Sequence, residues 1–577
     1  MTPQSLRRPL FVLCLAFALA APASAMATDR FVDKDTGLDS GNCSTQANPC
    51  ASPAYAGGQV TGADVIKVDD SATPYLGNAV LTLGASMVGF EFVGGNEGEV
   101  ILDGGGSFTI QVGSGAVGGT ISGMTLRSSN AAVRVDGTLS TITNNVFDSG
   151  GPSQVDIDLN DSSTTVSQNT FSDLNTTVAD RGITVDGASP TIIDNDFTNQ
   201  AIAIDIGNNV TASNVNVQEN QITGTHAAPF INGYGVLIAS SSDVVLEDNV
   251  VTSGSVTSQA GVSIGPGNNT DAPILEMRRN QIYGYETGVF ISDTSVASLK
   301  GDVIAGSATQ AMVLSNSPNP PGSAATTMKN VTLASAGAAT SEVFSVEASL
   351  TIDSSILGDA GIATSGASAC TITRSRGPVT TPGGNGCTNF QTAAAPNFVN
   401  PGANNYHLTS NNPTLIDQGD PLVSIAPDNL DIDLQKRSID GDGNCSEVRD
   451  LGADEFLPAA PTANITAGPA DGSTITTATT QFSFTNSNSC PGATLQCSLD
   501  GAVFSTCTSP ANLGPLAEGA HTFAVRALDL VPQAGPTASR SFTVDLPSAA
   551  PPPPAQRKCP KGKKLKKGRC VKKKRKK

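Results

Sequence analysis

The chain has 577 residues, a formal net charge of −18, 59 Gly, no Trp and only 5% aromatic residues, a composition that argues against a globular α/β enzyme core and favours one built by repetition. Residues 557–577 hold 14 of the 33 Lys and Arg, whereas residues 28–554 hold 17 against all 51 Asp and Glu, a net charge of −34. The main part of the protein should therefore repel polyanions, and we expect no specific nucleic-acid partner.

The first 25 residues have the pattern of a secretory signal peptide. Arg7 and Arg8 precede an apolar run at residues 10–20, and the small residues Ala-Ser-Ala follow at 23–25. A membrane anchor is the alternative, but the run is shorter than the roughly 20 residues that a spanning helix needs. No later segment suits a transmembrane helix. We therefore expect a secreted protein from which residues 1–25 are removed.

Ten cysteines remain after the predicted signal peptide. An even number in an exported chain favours disulfide bonds over free thiols. Cys445 and Cys490 are distant from the others and would be left to pair across a domain border. The remaining cysteines are close in sequence in pairs, which predicts the bonds Cys43–Cys50, Cys370–Cys387, Cys497–Cys507 and Cys559–Cys570.

A repeat of about 25 residues runs through the centre of the chain. Its template is an apolar residue, two variable residues, Asn, a variable residue and an apolar residue, and a period of this length is typical of a solenoid coil. We expect the Asn side chains to form a hydrogen-bonded ladder in left-handed turns, and the neighbouring Phe147, Phe171 and Phe197 to stack inside. The ladder positions are Asn145, Asn169, Asn195, Asn220, Asn249 and Asn280, followed by Asp302.

Between the Asn positions lie segments that alternate apolar and polar residues, for example Val262-Ser-Ile264, as in a β-strand. Coils of several short strands, stacked about 4.8 Å apart, predict an all-β solenoid on the order of 50 Å long. Glycines precede several of these segments, and we interpret them as turn residues that permit positive φ. These glycines are Gly182, Gly235, Gly261 and Gly288.

The Asn ladder and the stacked columns resemble the pectin-lyase-like superfamily of right-handed parallel β-helices, over roughly residues 60–380. The segments around Phe31-Val-Asp33 and Asp450-Leu-Gly452 are similar to the opening and closing segments of exported β-helix proteins. The resemblance implies an N-terminal cap at 26–60, the β-helix at 61–390 and a closing segment at 391–458.

Residues 459–546 show a different pattern, with alternating strands and the Asp500-Gly501 pair that suits a hairpin turn. This pattern predicts a small β-sandwich. The Cys-Ser-Leu-Asp-Gly sequence at 497–501 resembles bacterial immunoglobulin-like modules, and the resemblance implies a spacer or weak binder.

Residues 547–577 form a Pro-rich linker and a basic tail without a carboxylate. We expect this tail to be disordered and attracted to polyanions. An anionic cell-envelope polymer is the expected partner, which would retain the secreted protein at the envelope. A solvated tail without a partner is the alternative.

Candidate catalytic residues come from the chemistry of uronate lyases on this fold, which need a basic residue to abstract a proton and a cation to neutralise the neighbouring carboxylate. Arg278, Arg279, Lys300 and Lys329 fall at equivalent exposed positions of three consecutive coils. The alternative is that these cations form ion pairs between coils, with Glu247 above Arg278 and Asp248 above Arg279.

Candidate ligand-binding and metal-binding residues are fewer. Tyr234, Tyr283 and Tyr285 lie near the same coils and could contact a polysaccharide. Calcium is the one cofactor suggested, by a loop with Asp440, Asp442 and Asn444, for which an Asp/Gly turn is the alternative. The three histidines, His226, His407 and His521, lie in different regions, so we predict no triad or zinc site.

Two functions remain open. The first is a non-catalytic surface protein in which the β-helix is a rigid binding or structural element and the basic tail binds the envelope. The second is an extracellular uronate polysaccharide lyase. The missing Trp weakens carbohydrate binding in both, since sugar platforms usually rely on aromatic stacking.

Overall fold

The computed structural model describes residues 28–573 except for short gaps. No described helix is long and apolar enough to cross a membrane. The predicted signal peptide lies outside the described residues. The gaps are residues 72, 77–80, 84–90, 96–99, 107, 128–129, 150–154, 161–162, 174–179, 208–213, 227–232, 240–241, 255–257, 266–272, 316–323, 336–341, 347, 359–360, 366–368, 378–386, 389–390, 422–428, 489, 530–532 and 549–557.

The chain divides into two compact units, one comprising Met1–Asp442 with Ser446–Leu457 and the other Gly443–Cys445 with Pro458–Lys577. The first unit is a parallel β-helix. Three long parallel sheets run along it, and successive strands of the chain visit sheets 1, 2 and 3 in turn. Each pass through the three sheets is one coil, so the all-β solenoid predicted from the repeat is confirmed.

Sheet 1 contains the strands Asp29–Val32, Val65–Val68, Glu91–Gly94, Thr120–Ser122, Thr141–Thr143, Thr165–Ser167, Thr191–Ile193, Val215–Gln218, Asp243–Glu247, Ile274–Arg278, Val296–Lys300, Ala325–Lys329, Ser349–Asp353, Ala369–Thr373 and Cys387–Thr388. Sheet 2 contains Tyr75–Leu76, Ile101–Asp103, Thr125–Arg127, Val146–Ser149, Thr170–Asp173, Asp196–Thr198, Gln221–Thr225, Val250–Ser253, Gln281–Tyr283, Val303–Ala305, Thr332–Ala334, Ile356–Leu357, Arg376–Gly377 and Gln391–Thr392. Sheet 3 contains Leu81–Leu83, Ile110–Val112, Ala131–Val135, Val155–Asn160, Arg181–Asp186, Ile202–Ile206, Tyr234–Ile238, Ala260–Ile264, Thr287–Ser292, Gln310–Ser315, Val343–Val346 and Ile362–Ser365.

The Asn ladder lies in the turn between sheets 1 and 2 and is confirmed. Each side-chain amide donates to the side-chain oxygen of the next coil's ladder residue at 2.9–3.1 Å, from Asn145 through to Asp302. The next residue in this column, Val331, interrupts the ladder, and Ser355 and Ser375 occupy the following positions. From Asn145 to Asp302 the column therefore satisfies buried backbone groups at the bend between sheets 1 and 2.

The left-handed residue of this turn is the one before each ladder Asn, so our placement of positive φ on the ladder Asn is wrong. Its φ lies between 53° and 59° in six successive coils. The ladder amide has to point inward between carbonyl groups, so the preceding residue makes the bend. These residues are Asn144, Gln168, Asp194, Glu219, Asp248 and Arg279.

Beside the ladder, Phe147, Phe171 and Phe197 stack as expected. Successive ring centroids are 4.7 and 4.4 Å apart, and the rings are inclined by 7° and 6°. All three side chains are buried. The stack fills the interior along sheet 2 where other coils have aliphatic residues.

The glycines that begin the sheet 3 strands do not serve positive φ, which corrects the turn interpretation. None of the four predicted positions has φ in the left-handed region. A Cβ at Gly288 would lie 2.2 Å from Ile304 Cγ2 and 2.5 Å from the carbonyl oxygen of Ala311. Gly182, Gly235 and Gly261 are similarly crowded. Glycine is needed here because sheets 2 and 3 approach each other closely.

The ends of the β-helix differ in construction. The predicted N-terminal cap contributes the first strand of sheet 1, Asp29–Val32, and the helix Pro53–Gly57, which begins after the N-cap Ser52. The predicted closing segment has the antiparallel pair Phe398–Asn400 and Asn405–Leu408 around a 3-10 turn at Pro401–Ala403. It packs along the outer face of sheet 2, where Tyr406 and Ala453 cover Val303.

The second unit contains two sheets around a core of Phe482, Phe523 and Phe542. One sheet contains Ala463–Ala467, Thr480–Asn486 and Ala511–Leu513. The other contains Ser473–Ile475, Thr494–Leu499, Ser505–Cys507, Gly519–Leu528 and Ala538–Val544. The immunoglobulin-like resemblance of this unit stays a prediction.

The described part of the basic tail differs from the expected disorder. Lys563–Lys566 and Arg569–Lys572 form an antiparallel hairpin. A disulfide between Cys559 and Cys570 closes it and offsets the repulsion between its positive charges. The other three predicted disulfides are also present, and Cys445 pairs with Cys490.

Candidate functional site

The four predicted cations lie together at the end of the Asn ladder. Arg278, Lys300 and Lys329 are aligned in the register of sheet 1 on three successive coils. Arg279 follows in the turn at φ 54°. With parts of the closing segment they line one cleft of about 20 Å³. The cleft thus admits about one water molecule or small anionic group at a time.

Two residues that the sequence reasoning missed complete this cationic cleft. Arg437 and Arg449 come from the closing segment, and both side chains are almost wholly buried, at 1% exposed. Arg437 donates to the carbonyl oxygens of Ala453, at 2.8 Å, and Gly452. Only docking of the closing segment brings them beside sheet 1. Their signal in the sequence is weak: two Arg within an otherwise acidic segment.

Carboxylates on the same strand, on neighbouring strands and in the closing segment pair with the cations of sheet 1. Arg278 lies 2.8 Å from Glu276 and 3.6 Å from Glu247. Lys300 Nζ lies 3.1 Å from Glu276, and Lys329 Nζ lies 3.4 Å from Asp420 of the closing segment. The ion-pair alternative drawn from the sequence therefore describes these side chains. Partly exposed pairs of this kind contribute little stability each and mainly fix the register of the coils.

Arg279 is the most deeply placed of the four predicted cations. Its Nε lies 2.7 Å from Asp248 Oδ1, and a short ion pair joins it to Glu247. Burial lowers the pKa of Arg279, but hydrogen bonds and charge contacts with both carboxylates outweigh burial and hold that pKa above its ordinary value. This guanidinium stays positively charged, so it can neutralise an anion but cannot abstract a proton.

Asp302 ends the Asn ladder and directly follows Lys300 and Gly301, which line the cleft. Burial raises the pKa of its carboxyl to about 7, although the amide groups of Asn280 and Lys300 donate to it and oppose the rise. The charge of this carboxyl next to the cleft therefore changes around neutral pH.

The predicted ligand-binding tyrosines do not join the cations. Tyr285 is fully buried and its hydroxyl lies 2.7 Å from that of Thr225. Tyr283 is buried under Tyr406, with ring centroids 5.8 Å apart. Tyr234 is in sheet 3, where its hydroxyl donates to Gln259. Neither Tyr283 nor Tyr285 presents its ring to solvent, so these two side chains belong to the packed core.

The predicted calcium residues Asp440 and Asp442 gather with a third carboxylate. Their carboxylate oxygens and one of Asp417 lie within 4.8 Å of one another. Burial and the neighbouring Asp442 raise the pKa of Asp417 to about 6, against backbone donors that lower it. Asn444 belongs to the segment Gly443–Cys445 of the other unit. Carboxylate oxygens suit Ca²⁺, and calcium binding here stays a prediction.

Comparison with known families identifies the central part of the chain. Residues 109–264 and 200–376 match the model of the right handed beta helix region. This region is a right-handed β-helix. No curated protein matches the chain. Since β-helices carry many unrelated activities, function has to be argued from the sites on this one.

Proposed function

We propose that the protein is a secreted, non-catalytic surface protein whose β-helix is a rigid scaffold and whose basic hairpin binds an anionic polymer of the cell envelope. The observation that carries this proposal is the hairpin at Lys563–Lys566 and Arg569–Lys572. A disulfide-closed hairpin presents its charges in a fixed arrangement, so less conformational entropy is lost on binding than with a disordered tail.

The surface of the hairpin suits a polyanion. Residues 558–573 contain nine Lys and Arg, no Asp or Glu, and every basic side chain among them is exposed. The register pairs Lys563 with Lys572 and Lys566 with Arg569, so both faces of the ribbon carry positive charge. Leu565 and Val571 are 52% and 40% exposed and add apolar contact area.

The non-catalytic part of the proposal rests on the cationic cleft. Its sheet 1 cations Arg278, Lys300 and Lys329 contact carboxylates, and so does Arg279 in the adjoining turn, which is held in its charged form. Such an arrangement supports an electrostatic or structural role better than proton abstraction.

Replacing Lys563, Lys564, Lys566 and Arg569 together by Gln is expected to weaken binding to immobilised poly(glycerol phosphate) by about 1,000-fold, since each cation near an anionic surface is worth about 1 kcal/mol. Equilibrium binding of the mature protein across 50–500 mM salt measures the effect. Affinity of the unmodified protein should fall steeply as salt rises.

The matched control replaces the three lysines of that set by Arg, which keeps the charge and should keep the affinity within a few fold. Uncharged dextran tests for non-specific adsorption. Binding that ignores both the Gln substitutions and salt contradicts the proposal.

A second candidate, a uronate lyase, is favoured by the convergence of six cations on one cleft that admits a single small anionic group. Incubation with a panel of uronate polymers plus calcium, followed by absorbance of the unsaturated product, tests it. A lyase should lose at least about 100-fold of its rate in Lys300→Ala but not in Lys67→Ala, whose lysine pairs with Asp29 far from the cleft. No product on any polymer excludes the lyase.

A further inference from the structure

A buried cluster of metal-ligating side chains lies at the corner between sheets 2 and 3, away from the cationic cleft. Asp173 ends a sheet 2 strand, Asp180 immediately precedes a sheet 3 strand, and His226 follows a sheet 2 strand two coils further on. Their exposed fractions are 1%, 0% and 7%. One ligand atom from each lies within 4.8 Å of the other two, and His226 Nε2 is 4.0 Å from Asp180 Oδ1.

Asp180 is incompletely satisfied in this corner. Its Oδ1 accepts a hydrogen bond from the backbone N–H of Ala201 at 3.1 Å. Its Oδ2 is buried and has no hydrogen-bond partner among the described residues. A second carboxylate, Asp173, lies in the same cluster. Two buried carboxylates side by side are costly unless they share a proton or a positive charge compensates them.

Gln200 is a second, independent sign of a missing partner. It lies on the coil between those of Asp180 and His226, and its backbone carbonyl accepts a hydrogen bond from the His226 N–H at 3.3 Å. Its side chain is 1% exposed, and within the described part of the chain neither its amide oxygen nor its amide nitrogen has a hydrogen-bond partner. A buried amide normally finds such a partner.

We propose that Asp173, Asp180 and His226 bind one divalent transition-metal ion, and that the buried side-chain amide of Gln200 on the intervening coil contributes its oxygen to the site. Two carboxylate oxygens and an imidazole nitrogen are the donor types that Zn²⁺ and Mn²⁺ accept, whereas Ca²⁺ and Mg²⁺ prefer oxygen donors throughout. The ion supplies the positive charge that the two ionised carboxylates require.

The site is structural rather than catalytic, because its ligands are buried inside the wall of the β-helix. Asp173 and Asp180 belong to one coil and His226 to the second coil after it, so the ion ties three consecutive coils together. Asp173 and Asp180 are close in the sequence, but His226 lies two coils further on, so the spacing of these residues in the sequence gives no sign of the site.

The test uses the mature protein stripped with EDTA and titrated with Zn²⁺ or Co²⁺. We expect one ion bound per chain at this site, a rise in the midpoint of thermal unfolding, and a visible absorption spectrum of Co²⁺ that reports nitrogen ligation. Asp180→Asn and His226→Gln should each weaken binding at least about tenfold. Asp180→Asn should also raise the midpoint of the metal-free protein, since it removes repulsion between carboxylates.

The matched control is Asp196→Asn, which removes an exposed carboxylate on the outside of sheet 2 and should leave the stoichiometry and the midpoint unchanged. Asp417→Asn disrupts the other carboxylate cluster, in the closing segment, and should not alter the Co²⁺ spectrum. The proposal is overturned if the intact protein binds no ion at this stoichiometry, or if His226→Gln leaves binding and spectrum unchanged. A misfolded Asp180→Asn variant leaves the His226→Gln comparison as the deciding one.

Discussion

Asn220→Ala is expected to lower the free energy of unfolding by about 3–5 kcal/mol, because it leaves several buried polar groups without partners at about 1–3 kcal/mol each. The Asn220 amide donates to the carbonyls of Ile192 and Gln218 and to the side chain of Asn249 at 2.8–3.0 Å. Its side-chain oxygen accepts from the backbone and the side chain of Asn195. Alanine removes all five bonds from the middle of the ladder.

Urea unfolding followed by circular dichroism measures this change. Gln221→Ala, at the exposed neighbouring position in sheet 2, is the matched control and should stay within about 0.5 kcal/mol of the unmodified protein. Asn220→Asp replaces three amide donations by a buried carboxyl that faces the carbonyl oxygens of Ile192 and Gln218, so it should cost at least as much as Asn220→Ala. A loss below about 1 kcal/mol for Asn220→Ala would show that water replaces the ladder.

Gly288→Ala is expected to destabilise the β-helix by about 1–3 kcal/mol or more, although alanine suits strands no worse than glycine. The added Cβ would meet Ile304 Cγ2 at 2.2 Å and the Ala311 carbonyl oxygen at 2.5 Å. Backbone on the next coil cannot move away without disturbing sheet 3. A glycine kept only for flexibility would instead give a small gain in stability on substitution.

Chemical denaturation of four variants, Gly288→Ala, Ile304→Ala, the double variant and Gly402→Ala, separates these explanations. Gly402→Ala is the matched control, since a Cβ there meets only Asn400 Oδ1 at 3.7 Å. The double variant Gly288→Ala with Ile304→Ala removes one of the two clashes, so it should lose less stability than the sum of the losses in the two single variants. Equal stability of Gly288→Ala and the unmodified protein would contradict the packing explanation.

The sites described here lie where the repeat is interrupted. The cationic cleft lies where the Asn ladder gives way to Asp302 and then Val331. The Asp173, Asp180 and His226 cluster lies at a corner where the connections between sheets 2 and 3 differ in length from coil to coil. A regular coil has to reproduce the contacts of its neighbour. Clusters of charged or metal-ligating side chains therefore occur where the repeat is irregular.

The amino-acid sequence by itself determined the columns of the β-helix, because side chains one coil apart occupy equivalent positions and must be alike to bury the same surface. It predicted the Asn ladder, the stacked Phe147, Phe171 and Phe197, and four disulfides between cysteines close in sequence. It also predicted the pairing of Arg278 with Glu247 and of Arg279 with Asp248.

Only the tertiary structure decided what packs against these columns. The residue before each ladder Asn takes the left-handed turn, and the sheet 3 glycines serve close packing, because both depend on the direction in which neighbouring side chains point. Docking of the closing segment buries Tyr283 under Tyr406 and brings Arg437 beside Lys300. These contacts join residues more than 100 positions apart, and a periodic sequence carries no signal for the side on which such a segment packs.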